Sequence, residues 1–278
     1  MQKMNSNDNC QHTDNCQLER IDELERYYKP IESLDYLNQW LFWCSALLSI
    51  LVFFGSQIPW IHLQGLFEEL FVVLVLVHLV ISLYIRYNLF PIAERKRRQQ
   101  LLSDSFAVPL ISESTQKYYN NEISPSLERL GANVLENALF TKTICSKMAI
   151  RERIKILLFF VVWILAILCR STDLGLLVII TQTLFSSEIV ENWIRIEVLS
   201  HQTAKIYDEI YNLFLLKVDF DSTDGIASIL EKFASYEANK SRTSVILSRS
   251  IFLDTNSALS QEWDLIRRKL GISKEKGT

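Results

Sequence analysis

The stretch that decides the fold class is LFVVLVLVHLVISLYI, residues 70–85. It contains no charged residue, and His78 is its most polar member. The charged pair Glu68 and Glu69 precedes it directly. An uncharged, almost wholly apolar run of this length predicts a transmembrane helix.

Three further uncharged stretches extend this pattern to two hairpins. Residues 36–67 carry no charge and include the almost wholly apolar segment 40–54, and residues 156–169 and 174–187 lie between charged residues. The sequence therefore predicts four transmembrane helices in two hairpins. The last two stretches have 14 residues each, a length that is more common in buried core helices. A buried core pair is the alternative for the second hairpin.

The composition favours helices and argues against most other fold classes. Of 278 residues, 7 are glycine and 5 are proline, whereas average usage gives about 19 and about 14. This shortage of turn-forming residues disfavours sandwiches, barrels and glycine-rich phosphate-binding folds. The chain is 49% hydrophobic and 22% charged, with a mean hydropathy of +0.12. We predict an all-α integral membrane protein with a cytoplasmic helical domain built from discontinuous segments.

The distribution of lysine and arginine predicts the orientation in the membrane. Residues 1–35 carry 4 of them, residues 55–67 carry none, residues 86–155 carry 12, and the tail after residue 188 carries another 12. Basic residues concentrate in cytoplasmic segments of membrane proteins. We therefore expect a multi-pass protein with both termini and the large middle segment in the cytoplasm.

These features divide the chain into six predicted parts. Cys10, His12 and Cys16 near the start could hold a metal, but no fourth ligand has a matching spacing, so a disordered polar leader is favoured. The parts are a disordered leader at 1–17, a cytoplasmic amphipathic helix at 18–39, transmembrane hairpin 1 at 40–86, a cytoplasmic helical segment at 87–154, transmembrane hairpin 2 at 155–187 and a cytoplasmic helical tail at 188–278.

Several helix ends in the cytoplasmic segments can be predicted. Ser124 followed by Pro125 is a typical N-cap and first helical residue. An apolar stripe after the fourth span reaches Phe214 without a helix breaker, which predicts one long helix leaving the membrane. A last short helix near 261–270 is predicted to end at Gly271.

The sequence contains no recognisable catalytic motif. Walker loops, GxGxxG, HExxH, GxSxG and kinase signatures are absent. The four histidines are scattered, and none neighbours a serine or cysteine with an orienting acid. We predict that the protein is not an enzyme, that it has no cofactor and no metal site, and that it does not bind nucleic acid directly.

Polar residues inside the predicted spans are the first candidate functional residues. A polar side chain in a bilayer is costly and usually faces a partner helix or water. One hypothesis is that some of these residues line a pore formed by several copies of the chain. The alternative is that they form hydrogen bonds between helices or mark the outer interface. The candidates are His78 in the second span, Thr181, Gln182 and Thr183 in the fourth, and Arg170 and Asp173 at the outer turn.

Basic residues outside the spans are the second group of candidates. One run follows the second span, where a helix leaving the bilayer passes anionic headgroups. Others in the tail could contact the phosphates of a ligand. The alternative for each is a solvated helix face. The candidates for membrane-surface or ligand contacts are Arg95, Lys96, Arg97, Arg98, Arg242 and Arg249.

The cytoplasmic segments resemble a known family. The stretches RKRRQQLLSDSFAVPL (95–110), YYNNEISPSLERLGANVLENALF (118–140) and SRTSVILSRSIFLDTNSALSQEWDLIRRKLG (241–271) stand in the order typical of the four-transmembrane effectors encoded beside bacterial SMODS-type oligonucleotide cyclases in anti-phage operons of the CBASS type. The positions that look like the family pattern are Gln100, Asp104, Phe106, Pro109, Tyr118, Tyr119, Asn137, Arg242, Arg249 and Trp263.

The resemblance implies an oligomeric effector of the bacterial inner membrane. Such a protein stays silent until a nucleotide second messenger, made after infection, triggers its assembly or opening and the membrane is breached. Other multi-span anti-phage effectors, including those paired with retrons, would share these features. The implied partners are the lipid bilayer, further copies of the chain, and a nucleotide second messenger or a partner protein from the same operon. The alternative function is a non-conducting membrane scaffold that recruits a cytoplasmic partner.

Overall fold

The computed structural model describes residues 24–55, 61–111, 123–168 and 187–272. Within these ranges the chain is helical and contains no strand. The predicted all-α class is confirmed for this part of the chain. The elements are α1 (Glu25–Gly55), α2 (Ile61–Tyr84), a π-helical turn (Ile85–Leu89), α3 (Phe90–Phe106), α4 (Leu127–Leu168), α5 (Ser187–Leu215), α6 (Thr223–Thr243) and α7 (Arg249–Leu270).

One helix among the described residues is long and apolar enough to cross a membrane. It runs from Gly65 to Phe106 and combines most of α2 with the π-helical turn and α3. We call its uncharged stretch, residues 70–85, the candidate span. Nothing in its most apolar stretch is buried inside the chain, whereas the core helix of a soluble protein would be buried. The described residues thus contain one candidate membrane-spanning helix, and the other three predicted spans are not confirmed.

Large apolar side chains are exposed on two other helices as well. On α1, Trp40 and Leu47 are 56% and 59% exposed. On the last part of α4, Leu158 and Leu168 are 62% and 73% exposed. α1 packs against α2, and α4 packs against α5. The exposed apolar surface of the described residues thus extends over parts of α1, α2 and α4.

The helices α3 to α7 form a bundle around an apolar core. Gly131 on α4 leaves room for side chains of two neighbouring helices, because a Cβ atom there would lie 2.9 Å from Cδ1 of Ile229 on α6 and 3.4 Å from the ring of Phe214 on α5. The largest fully buried side chains of this core are Leu101, Leu130, Leu135, Leu139, Ile210, Ile229, Tyr236 and Trp263.

Serine side chains cap the helices of the bundle. The hydroxyl of Ser126 accepts a hydrogen bond from the backbone N–H of Arg129 at 3.2 Å, so Ser126 caps α4. The prediction of Ser124 as the cap is wrong, because the chain still bends at Pro125 and Ser126 before the helix begins. Ser222 caps α6 in the same way, accepting from Gly225 at 3.1 Å.

The last helix is longer than predicted. α7 begins at Arg249, well before residue 261, and its buried face includes Thr255. The hydroxyl of Thr255 donates to the carbonyl of Ile251 at 2.7 Å, so this polar group is satisfied in a buried position. Because a threonine stands in the apolar stripe of α7, the sequence pattern does not indicate a helix there. The predicted end is confirmed, because Gly271 has a φ of 76° and caps the helix.

The helices run through the predicted boundaries between membrane and cytoplasmic parts. α1 crosses the boundary at 39/40, and α4 crosses the boundary at 154/155. The helical backbone from Gly65 to Phe106 crosses the boundary at 86/87 with only the π-helical turn as an irregularity. A displacement of the bundle can therefore be transmitted along these helices.

Candidate functional site

The most unusual feature of the bundle is a buried charge cluster between α3 and α6, made of Glu94, Arg97, Glu237 and Lys240. None of these four residues is more than 7% exposed. Glu94 and Arg97 are three residues apart on α3, and Glu237 and Lys240 are three residues apart on α6. This spacing places each pair on one helix face, and α3 packs against α6 with the two faces together.

Ion pairs link all four members. Nη2 of Arg97 donates to both carboxylate oxygens of Glu237 at 2.7 Å, and its Nε donates to Oε2 of Glu94 at 2.9 Å. Nζ of Lys240 lies 3.2 Å from Oε1 of Glu94. Two cations and two carboxylates thus neutralise each other away from water. The partly exposed Arg98 adds a further contact to Glu237 at 3.1 Å.

The pKa values show how strongly the charges depend on each other. Burial raises the pKa of Glu94, but the nearby charges of Arg97 and Lys240 outweigh burial and lower it to about 2. Burial lowers the pKa of Arg97, yet Glu94 and Glu237 raise it well above its ordinary value. Burial and the charge of Arg97 lower the pKa of Lys240. Removing one member would leave an uncompensated charge inside the protein.

Two tyrosines connect the buried charge cluster to other helices. The hydroxyl of Tyr28 on α1 donates to Oε1 of Glu94 at 3.1 Å. The guanidinium of Arg97 lies over the ring of Tyr236, 5.8 Å from its centroid. The hydroxyl of Tyr236 lies 3.0 Å from Oγ1 of Thr141 on α4. Four helices, α1, α3, α4 and α6, therefore meet at the cluster.

The far end of α3 has a second polar contact. The carboxylate of Asp104 accepts hydrogen bonds from Arg129 at 3.1 Å and from Asn133 at 3.2 Å, both on α4. Asn133 also donates to the hydroxyl of Ser105 at 3.0 Å. α3 is thus tied to the bundle at both ends, and its start continues the candidate membrane span through the π-helical turn.

The residues that carry the family resemblance occupy separate places. Trp263 and Gln100 are buried, Phe106 packs against the apolar core, and Asp104 forms the contact to α4. Pro109 and Arg242 are exposed, and Asn137 is half-buried. The structure does not bring these residues together into one site. Tyr118 and Tyr119 lie outside the described residues.

Of the predicted pore residues, one lies in the described part of the chain. The imidazole Nδ1 of His78 lies 3.2 Å from the carbonyl oxygen of Asn38, so His78 contacts α1 within the same chain. Asn38 also donates from Nδ2 to the hydroxyl of Ser82 at 2.8 Å. These contacts match the interhelix alternative for His78. The other candidates, which are Arg170, Asp173, Thr181, Gln182 and Thr183, lie outside the described residues.

One of the six predicted membrane-surface or ligand cations is buried. Arg97 is buried among carboxylates, so its prediction as a membrane-surface or ligand cation is corrected: its helix face is turned towards α6. Arg95 and Arg242 are exposed. Arg98 pairs with Glu237, Nζ of Lys96 lies 5.6 Å from the ring centroid of Tyr27, and Arg249 pairs with Glu25 and Glu32.

Sequence analysis missed Glu94, Glu237 and Lys240, although a signal was available. On α6, Ile229, Phe233, Tyr236 and Lys240 follow each other at helical spacing, and Lys240 takes the place of an apolar residue. On α3, Arg97 interrupts the stripe formed by Phe90, Ala93 and Leu101 in the same way. A charge inside an apolar stripe indicates a buried partner of opposite sign.

The buried charge cluster is a set of ion pairs, and within the described ranges no group of three His, Cys, Asp or Glu residues could hold a metal ion. Comparison with family models, curated proteins and solved structures finds no match to this chain.

Proposed function

We propose that this protein is an oligomeric membrane effector or channel that permeabilises the bacterial inner membrane in response to a cytoplasmic signal. The observation that carries the proposal is the helical connection between the candidate span and the buried charge cluster. The helix from Gly65 to Phe106 includes Glu94 and Arg97, which bind Glu237 and Lys240 of the bundle. A change in the position of α6 therefore moves α3 and, with it, the candidate span.

The proposal includes four spans in two hairpins, with both termini in the cytoplasm. The exposed apolar side chains on α1 and on the last part of α4 support it, because large exposed apolar areas are rare on soluble monomers. A periplasm-active reporter fused after Thr278 is expected to be inactive, while the same reporter inserted within residues 56–60 is expected to be active. Activity of the fusion at Thr278 would contradict this topology.

Activation would be a population shift between a closed and an open assembly. A ligand or partner protein can shift that equilibrium only by as much as its affinities for the two states differ. The bundle is the part that would receive the signal, which the resemblance implies to be a nucleotide second messenger or a partner protein in anti-phage defence. The buried charge cluster favours the closed arrangement, because Glu237 and Lys240 of α6 reach Arg97 and Glu94 only when α3 lies against α6.

The test is membrane integrity in cells. The full chain is expressed together with its neighbouring genes, the cells are infected with phage, and membrane potential and dye exclusion are measured. We expect both to be lost after infection. If both stay intact while the cells are protected, the channel proposal fails and the non-conducting scaffold is favoured.

A matched pair of variants tests the role of the cluster in this assay. Glu237→Gln removes a buried charge that Arg97 and Arg98 contact, and we expect it to cause leakage before infection. Glu231→Gln removes an exposed charge from the same helix, which pairs only with Lys232 among the described residues, and should behave as wild type. Equal leakage in both variants would show that the buried charge cluster does not control the opening of the channel.

A second pair of variants tests the predicted pore residues. Under the pore hypothesis, His78→Leu or Gln182→Leu changes the leakage rate, because a polar group would be lost from the conducting path. Under the interhelix alternative, His78→Leu affects only the stability of the α1–α2 contact. Unchanged leakage with lower thermal stability would assign His78 to helix packing.

A further inference from the structure

A cavity of about 510 Å³ lies where α1, α2, the π-helical turn, α4, α5 and the start of α7 meet. We call it the junction cavity. Its volume falls in the range of about 300–1,000 Å³ that is typical of small-molecule sites. Along α1 its lining changes from Glu32 and Asp35 to Phe42 and Trp43. An occupant therefore meets charged groups at the bundle end and apolar groups towards the candidate span.

Positive charge is in excess on the wall formed by the π-helical turn, α4 and α5. Arg86 and Arg195 share one carboxylate, that of Glu191, at 2.9 Å and 3.8 Å. Arg151 also lines the cavity and has no ion-pair partner among the described residues. This wall thus carries the guanidinium groups of Arg86, Arg151 and Arg195 together with the carboxylate of Glu191.

The other charges of the lining are paired or bonded locally. Lys155 pairs with Glu152 at 2.7 Å, and Arg249 pairs with Glu32 at 3.3 Å. Asp35, on the opposite wall, accepts a hydrogen bond from Gln39 at 2.8 Å. The whole lining contains five cations and four carboxylates, so the cavity keeps a net positive charge that favours an anionic group.

The N-terminus of α7 adds to this positive character. Ser248, Arg249 and Ser250 line the cavity, and the first turn of α7 has no acidic residue to balance the helix dipole. Backbone N–H groups at the start of a helix favour phosphate groups.

Asn38 provides an independent indication of a ligand. Asn38 is 5% exposed and lines the cavity, and its Nδ2 donates to the hydroxyl of Ser82. Its Oδ1 accepts no hydrogen bond from any group in the part of the chain that the structure describes. Buried acceptors are normally satisfied, so an occupant with an N–H or O–H group would complete this site.

We propose that the junction cavity binds the headgroup of a phospholipid that carries a phosphate and a hydrogen-bond donor, which is an amine or a hydroxyl. The phosphate contacts Arg86, Arg151 and Arg195, the donor reaches Asn38, and the acyl chains leave past Trp43. This inference rests on the membrane placement proposed above, because the cavity then lies at the depth of the cytoplasmic headgroups, where basic pockets between spans bind lipid.

Native mass spectrometry of the full-length protein, released from nanodiscs, tests the proposal. The probes are phosphatidylethanolamine, phosphatidylglycerol and phosphatidylcholine in equal amounts; the last has the phosphate but no N–H or O–H donor. We expect the first two to be retained about tenfold more strongly than phosphatidylcholine. Equal retention of all three would overturn the role of Asn38. Displacement by soluble glycerol phosphate at equal concentration would show that the site selects the phosphate group alone and would overturn the lipid as its ligand.

Variants connect retention to the cavity. Arg151→Gln removes a cation without an ion-pair partner among the described residues and is expected to weaken retention about tenfold, whereas Lys205→Gln, an exposed cation on α5 outside the cavity, should leave it unchanged. Ser250→Asp adds an acid where the dipole of α7 favours one, so the variant folds but repels the phosphate. Unchanged retention in Arg151→Gln and Ser250→Asp would refute the site.

The outcomes remain separable from those of the proposed function. Lipid selectivity without leakage of infected cells would refute the channel and keep the lipid site. Leakage of infected cells with unselective lipid retention would refute the lipid site and keep the channel.

Discussion

The apolar core of the bundle and the buried charge cluster are both closed to water, but they hold helices together in different ways. In the core, Leu135, Ile210 and Ile229 gain stability from contact area, which tolerates small shifts of one helix against another. In the cluster, each charge needs a partner at hydrogen-bond distance. The core therefore gives the bundle its stability, whereas the cluster fixes the position of α3 and hence of the candidate span.

The largest expected effect comes from removing the central cation of the cluster. Arg97→Met leaves the buried carboxylates of Glu94 and Glu237 without their closest partner, which we expect to cost about 3–5 kcal/mol. Thermal unfolding of the purified full-length protein in detergent measures it. Arg95→Met changes an exposed residue of the same helix and should stay within about 0.5 kcal/mol of wild type. Equal losses in both variants would contradict the importance of the cluster.

A cavity in the apolar core is expected to cost nearly as much. Leu135→Ala removes a fully buried side chain, with an expected loss of about 2–5 kcal/mol. Unlike Arg97→Met, it should leave the pH dependence of unfolding unchanged, because no charge is lost. Unfolding curves at several pH values compare the two variants. A changed pH dependence in Leu135→Ala would show that core and cluster do not act separately.

Acid is expected to weaken the ion pairs of the cluster but not the packing of the apolar core. The pKa of Glu94 falls from an ordinary 4.5 to about 2 in the folded protein, so the folded state favours the charged carboxylate. Its contribution to stability is complete above pH 4.5 and is lost as the pH falls from 4.5 towards 2. Thermal unfolding across that range should show the loss.

The control for this prediction is Glu94→Gln, which cannot titrate. It should be less stable than wild type at neutral pH, and the difference between the two proteins should shrink in acid. A difference that stays constant down to pH 2 would argue against a lowered pKa of Glu94.

The smallest expected effect belongs to the partly exposed member of the network. Arg98 contacts Glu237 at 3.1 Å, but its side chain is 40% exposed, so water already screens the pair. Arg98→Gln should therefore cost less than about 1 kcal/mol. A loss as large as that of Arg97→Met would mean that burial does not set the strength of these ion pairs.

Sequence analysis predicted the helical class and the main apolar span well. Among the described residues, the run from 70 to 85 is part of the one helix that meets the length and apolarity of a span, and Gly271 ends α7 as expected. Both depend on neighbouring residues, and local interactions are what a sequence pattern records. The start of α7 was missed because the buried Thr255 interrupts the apolar pattern.

The candidate site could be predicted only in part. The sequence predicted Arg97 and Arg98 as candidate membrane-surface or ligand cations, with a solvated helix face as the alternative, and indicated no ion pair with another helix. Their partner Glu237 lies far along the chain, and no local spacing relates the two positions. The direction in which a cation points from a helix is decided by the helix that packs against it.

The sequence by itself determined that this chain forms long helices, that the uncharged run 70–85 is apolar enough to span a membrane, and that basic residues follow that run. Only the tertiary structure decided which of those residues became buried, which carboxylates they met, and where the junction cavity opened. The physical reason is range: helix formation and apolarity depend on residues within a few turns, whereas burial of a charge depends on a partner that packing brings from another helix.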